Sequence, residues 1–291
     1  MLIVTGTKRS GTSMWMQILT SAGFPAFGEA FPRNWGETIK DANPDGFYES
    51  ILRQGIYYRT NPHPRTGAYF FPEQVERHVV KVFIPGLVRT DRAFLGSVVA
   101  TVRHWREYHD SLERLYAMED EARAEKKPEG KSEKPDAGRP VRIPPVFEWW
   151  SENFSLIRDI VTRRFRVHVQ SYDGLLSDPK AVIENTLDWL GDKDVDVAAA
   201  VAAVKPKNRT QQRDDDGSVP EGLSDKVIEA FELLYRTVDE RSGLDPALIG
   251  KLNEAHVEIA PRIAQAQKAA SDARAKRRRS PKSEAKPVGA Q

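Results

Sequence analysis

The chain has 291 residues and no cysteine. Disulfides, thiolate catalysis and cysteine-ligated zinc or iron–sulfur sites are therefore excluded. No apolar run approaches the eighteen or more residues of a membrane span. The opening MLIVTG has no basic region before its apolar residues and no cleavage-like site after them, so no secretory signal is expected and a cytoplasmic protein is. Charge of one sign is also lacking, with 44 Lys+Arg against 42 Asp+Glu. The net +2 hides an asymmetry, because from Arg262 onward nine Lys/Arg face two acidic residues, leaving the body net acidic. A dedicated cationic surface for nucleic acid is thus not expected.

What is present suffices for a core, since 40% of the residues are hydrophobic. Short continuous apolar runs occur at LIVT (Leu2 to Thr5), VVKVFI (Val79 to Ile84), VVATV (Val98 to Val102) and FRVHV (Phe165 to Val169). Runs that do not alternate predict strands buried on both faces, and helix-like stretches separate most of them. The pattern predicts an α/β fold of three layers, a central, mostly parallel sheet flanked by helices. Tyr108, Leu112, Leu115 and Tyr116 share a helical face. In SDPKAVIENTLDWLG, Ser177 or Asp178 caps, Pro179 suits the first turn and Gly191 ends the helix. Val227, Ile228, Phe231, Leu234, Tyr235 and Val238 form a further stripe.

The charged, Pro- and Gly-containing run beginning at Glu119 offers little to bury, so residues 119–145 are expected to form a mobile insertion. The basic segment 262–291 is expected to be a disordered tail, leaving one domain over residues 1–261. No long heptad pattern speaks to oligomeric state.

The stretch VTGTKRSGTSMW, Val4 to Trp15, reads as a strand, a glycine-bounded turn and a helix. Such a turn aims backbone N–H groups at one spot, reinforced by the helix dipole, and an anion is its natural occupant. Thr12 stands where the G-x-x-x-x-G-K-[ST] pattern has lysine, and the cations lie inside the loop as Lys8 and Arg9. A nucleotide kinase or NTPase would also need a magnesium-holding Asp at the end of a neighbouring strand. VVATV is followed instead by Arg103, and VVKVFI by Pro85. A P-loop for a ligand with two anionic ends and no required metal is the better expectation.

TKRSGTSMW resembles the 5'-phosphosulfate loop of the sulfotransferases that use 3'-phosphoadenosine-5'-phosphosulfate (PAPS). VVATVRHWREYHDSLERL resembles that family's 3'-phosphate element, a strand ending in Arg with a Ser eight residues later, here Arg103 and Ser111. VHVQSYDGLLSDPKAVIENTLDWLG, Val167 to Gly191, is similar to the family's Tyr-Glu-Asp-Leu turn and following helix. NPDGFYES resembles an Asn-Pro-x-Gly-x-x-Glu segment of bacterial members.

The resemblance implies a nucleotide-binding enzyme that moves a sulfuryl group from PAPS to an acceptor hydroxyl or amine, leaving adenosine 3',5'-bisphosphate (PAP). The acceptor would be a small molecule, glycan or peptide. Arg9 would be the loop cation, with Lys8 able to share the role. Ser10, Gly11, Thr12 and Ser13 would hold the 5'-phosphate, Arg103 and Ser111 the 3'-phosphate, and Tyr172 would approach the adenine. Lys205, Lys207, Arg209 and Arg213 fall where members fold a segment over the 3'-phosphate, and Arg209 is carried as that contact.

The family's Lys-x-His-x-Pro base segment reads KVFIP here, with Phe83 at the histidine position. Glu49 is the candidate base, with Asp45 and His104 as lesser ones. Two alternatives stay open: a P-loop kinase or NTPase, and a non-catalytic sulfotransferase-like module, which Phe83 keeps in view.

Overall fold

A computed structural model of the chain describes residues 1–30, 46–125, 140–205 and 223–279. Five strands form one parallel sheet: β1 (Leu2–Gly6), β2 (Ala26–Phe27), β3 (Val79–Lys81), β4 (Ser97–Val102) and β5 (Val167–Ser171), in the order β2-β3-β1-β4-β5. Leu2 pairs with Val79 on one side and Ser97 on the other, and Val98 pairs with Val167. The strand that feeds the glycine turn is therefore central.

The continuous apolar runs have the predicted meaning. Leu2, Val4, Val79 and Val99 face helices α1 (Thr12–Ser21) and, later in the chain, Val182 and Ile183. Ile3, Val80, Val98 and Ala100 face the other way, onto Leu52, Leu87 and Leu156. A sheet with both faces covered by helices gives the three-layer α/β architecture. The VVKVFI strand is shorter than its apolar run, because Phe83 caps a one-turn helix, α2 (Ile84–Leu87), that opens on Pro85. The two-residue β2 carried no readable strand pattern.

Four longer helices form a third cluster beside β4: α3 (Trp105–Glu125), α4 (Pro145–Arg163), and, after the smaller α5 (Tyr172–Ser177), α6 (Pro179–Leu190) and α7 (Val197–Ala202), the pair α8 (Asp225–Asp239) and α9 (Pro246–Arg279). Phe231 of α8 is its hub, with ring centroids 4.9 Å from Trp150, 5.2 Å from Trp149 and 5.8 Å from Trp105. The start and stop signals of α6 operate as read: the Asp178 carboxylate accepts from the Ala181 N–H at 3.1 Å, and Gly191 closes the helix at φ 77°.

The ends of the chain's two charged segments differ from expectation. Residues 119–125 extend α3, and Arg142 forks onto Asp120 with two 2.8 Å bonds while reaching Glu119 at 3.2 Å. Residues 126–139 lie outside the described part. The tail expected from Arg262 begins as helix, since α9 continues to Arg279 with Ile263 and Ala270 buried. Leu252, Ala255, Ile259, Ile263, Ala266 and Ala270 recur every three or four residues, and this sparse, alanine-rich stripe is what the basic composition concealed. Among the described residues no helix is long and apolar enough to cross a membrane.

If Phe231 ties the tryptophan cluster together, Phe231→Ala should cost about 3–5 kcal/mol. Urea unfolding followed by tryptophan fluorescence measures it, and a loss under about 1 kcal/mol would show that the cluster is held elsewhere.

Candidate functional site

The turn after β1 is pinned to β4. A Cβ on Gly6 would lie 2.4 Å from Ser10 Oγ and 2.6 Å from the Thr101 carbonyl oxygen, so only glycine fits. Ser10 Oγ donates to Thr7 O at 2.7 Å, and Thr101 Oγ1 donates to Ser10 O at 2.8 Å. Arg103 Nη1 adds a 3.1 Å bond to Arg9 O. Gly11 closes the turn at φ 94°, where a Cβ would stand 2.7 Å from the Tyr172 ring. Arg9 itself has φ 63°, an uncommon conformation for a side-chain-bearing residue that persists where surroundings over-determine it.

This backbone splits the two loop cations. Arg9 is half-buried and its Nε donates to Ser111 Oγ at 3.2 Å. Burial, and next the nearby Arg103, pull its pKa below the ordinary arginine value. Lys8 points outward, 52% exposed, with Nζ 3.5 Å from Glu148 Oε1. Of the hydroxyls in the loop, that of Ser10 turns inward, while Ser13 Oγ accepts from Lys81 Nζ at 3.0 Å. Thr12 is buried at the start of α1. Gly11, at the N-cap, has no side chain with which to satisfy the first amides of that helix. Thr7 Oγ1 is buried with no hydrogen-bond partner among the described residues.

Arg103 and Ser111 do come together with the loop. Arg103 is 4% exposed, its Nε bonded to Glu107 Oε2 at 3.1 Å and its guanidinium 4.8 Å from the Tyr172 ring centroid. Ser111 lies two turns further along α3, within reach of Arg9. Tyr172, the first residue of α5, thus packs on both Gly11 and Arg103.

Glu49 approaches the loop from the other side of β1. Its Oε1 accepts from Lys81 Nζ at 3.2 Å, and its Oε2 accepts from Arg53. Lys81 is 3% exposed and also donates to Phe47 O at 2.8 Å. Burial lowers its pKa, and Glu49 opposes that shift. Its ammonium stands 5.4 Å from the centroid of the Phe83 ring. Lys81 is the site residue that sequence reading passed over. The signal was available, as a lone cation in an otherwise apolar buried strand.

Other expected residues lie elsewhere. His104 is buried against α8, with Nε2 3.2 Å from Glu232 Oε2 and its ring edge-on to Tyr235. Asp45, Lys207, Arg209 and Arg213 fall outside the described residues, and Lys205 is exposed after α7.

Beyond Lys8 stands a group with no local sequence signal of its own. Glu148 and Glu152 are one turn apart on α4, and Tyr116 of α3 donates to Glu148 Oε2 at 3.5 Å. Burial, then the charge of Glu148, push the Glu152 carboxyl up to about 8, with Lys8 opposing.

No family model matches the chain, and a search of curated proteins returns no match. The fold and the geometry of the turn are therefore the ground for a functional reading.

The Glu152 shift has a sign that can be measured. The folded chain binds more protons than the unfolded one between the ordinary 4.5 and about 8, so this contribution, full at low pH, is lost as pH rises through that window. His168, pulled down to about 4 by burial and then by Arg241, acts oppositely between there and 6.5. The difference between wild type and Glu152→Gln isolates the first effect. Urea unfolding from about pH 5 to about pH 8.5 should show wild type losing stability relative to the variant, and a flat difference would refute the buried proton.

Proposed function

We propose that this chain is a sulfotransferase that binds PAPS at the turn between β1 and α1 and transfers its sulfuryl group to an acceptor hydroxyl or amine. The observation that carries the reading is that both strands flanking β1 end in buried cations, Lys81 closing β3 and Arg103 following β4. A nucleotide triphosphatase of this architecture needs a carboxylate for magnesium at such a place. Cations on both sides of a phosphate turn instead suit a ligand anionic at both ends.

The uncapped amides of α1 and the unpartnered Thr7 hydroxyl fit an anion of this kind. When bound, the donor supplies a sulfuryl group joined to its 5'-phosphate through a bridging oxygen. Ser10, Gly11, Thr12 and Ser13 hold the 5'-phosphate, mainly through backbone amides. Arg103 and Ser111 hold the 3'-phosphate, with Tyr172 against the base. Arg9 stabilises charge on the leaving side, where its planar fork can engage two oxygens. Its bond to Ser111 ties it to the 3'-phosphate side. Glu49, held beside Ser13 through Lys81, is the candidate proton acceptor. A cytoplasmic location accords with a soluble nucleotide donor.

Calorimetric titration with PAP, against ATP with magnesium, tests the donor. Wild type should prefer PAP, and Arg103→Ala should weaken it by about 1.5–3 kcal/mol, the range for a charged hydrogen-bond partner. Preference for ATP with magnesium would overturn the reading. In a transfer assay with a responsive acceptor, Arg9→Ala should lower kcat by about 10²- to 10³-fold. Unchanged turnover would remove Arg9 from the chemistry.

A further inference from the structure

Between α3 and α4, next to the turn, polar groups are gathered whose hydrogen bonds are left incomplete. Glu148 is 13% exposed, and its contacts to Lys8 Nζ and from Tyr116 OH are long at 3.5 Å. Glu152 Oε2 is buried without a partner among the described residues. Tyr108 is fully buried, and its hydroxyl has only a marginal contact with Glu148. Burial raises the pKa of that hydroxyl, and the charges of Glu148 and Glu152, which face it, raise it further. Buried polar atoms are rarely left unpaired, and those that are point to a missing polar partner.

We propose that this face, formed by Tyr108, Tyr116, Glu148 and Glu152 beside Lys8, is where the acceptor docks, and that the acceptor carries a primary ammonium group. The proposal rests on the sulfuryl-transfer reading for the word acceptor, but the recognition chemistry stands on the geometry alone. Two carboxylates on one face of α4 favour a cation. An ammonium has three donors, which match the unpaired Glu152 oxygen, the weakly held Glu148 oxygens and a phenolic oxygen. Lys8 fills this role only in part, since its charge also acts on Glu152 but its contact with Glu148 is long at 3.5 Å and its side chain is half exposed. Lys8 adjoins Arg9 in the chain, so an acceptor anchored here has its remaining atoms near the group to be transferred. The arrangement favours an ammonium over a divalent metal, because hard cations want several carboxylate or carbonyl oxygens. Among the described residues no group of three or more metal-ligating side chains occurs.

The charge of an ammonium beside Glu152 opposes the effects that keep its proton, so binding near pH 7 favours release of that proton. The groups facing Glu152 are Glu148 of α4, Lys8 of the turn and Tyr108 of α3.

The test uses the full chain with 2-aminoethanol as probe and 1,2-ethanediol as its uncharged counterpart, read by saturation-transfer NMR. The amine should bind and the diol should not. Glu148→Gln and Glu152→Gln should each weaken the amine about tenfold or more, as for loss of a charged hydrogen-bond partner. Calorimetry of wild type in two buffers of different ionisation enthalpy should reveal proton release on binding, which keeps the proposal testable if a variant does not fold. Equal binding of amine and diol, amine binding indifferent to both substitutions, absence of proton release, or magnesium displacing the amine would overturn it. PAP titration of the same proteins separates the two readings. Retained PAP affinity with no amine binding sinks this proposal alone, whereas amine binding without PAP affinity sinks the donor assignment alone.

Discussion

The close approach of the turn to β4 is the constraint on which the rest of the site depends. Gly6 lies so near the Thr101 carbonyl that no side chain can intervene, and Thr101 Oγ1 then reaches over to Ser10 O. With the turn fixed at both ends, Arg9 is held in a left-handed conformation that typically costs about 1–3 kcal/mol. Lys8 points outward toward Glu148 of α4 and Arg9 inward toward Ser111 of α3, so two neighbouring cations meet two adjacent helices. Arg103 contributes to the same clamp through its bond to Arg9 O. A residue assigned to one end of the ligand thus also shapes the backbone that holds the other.

Each cation of the site meets an internal partner. Arg103 has Glu107, Lys81 has Glu49, Lys8 has Glu148, and Arg9 has the Ser111 hydroxyl. Buried charge is costly unless paired, and breaking a buried pair costs more than forming it gains. The partners therefore keep a cationic site compatible with a stable fold. On the proposed reading they also bear on selectivity, because a ligand with charge at both ends would gain on both flanks of β1 where a singly charged one would gain on one.

The sequence revealed the layers and the turn because their signals are local. Continuous apolar runs state burial on both faces, and Gly6, Gly11, Asp178, Pro179 and Gly191 state backbone conformation at single positions. Lys81 was missed because it was read as a member of a strand, although a cation in the run VVKVFI must find a partner once both faces are covered. Glu148 and Glu152 were beyond reach for another reason. Their importance comes from the packing of α4 against α3 and the turn, contacts separated by as many as 140 positions in the chain. The continuation of α9 past Arg262 was masked by composition, since alanines supply half of its stripe from Leu252 to Ala270 and seven of the eighteen residues from Arg262 to Arg279 are basic.

Helix α3 joins the two halves of the site. Glu107 and Ser111, one turn apart, meet Arg103 and Arg9, while Tyr108 and Tyr116, two turns apart, lie against the carboxylates of α4. Both faces belong to one rigid element whose inner stripe, Trp105, Tyr108 and Leu112, is buried among the aromatic rings around Phe231. A well-packed core resists small independent adjustments of its members. Ser111 and Tyr108 are therefore placed together, and the proposed donor and acceptor sides share a single helix. The tryptophan cluster, through its packing on Trp105, is then part of what positions both proposed faces.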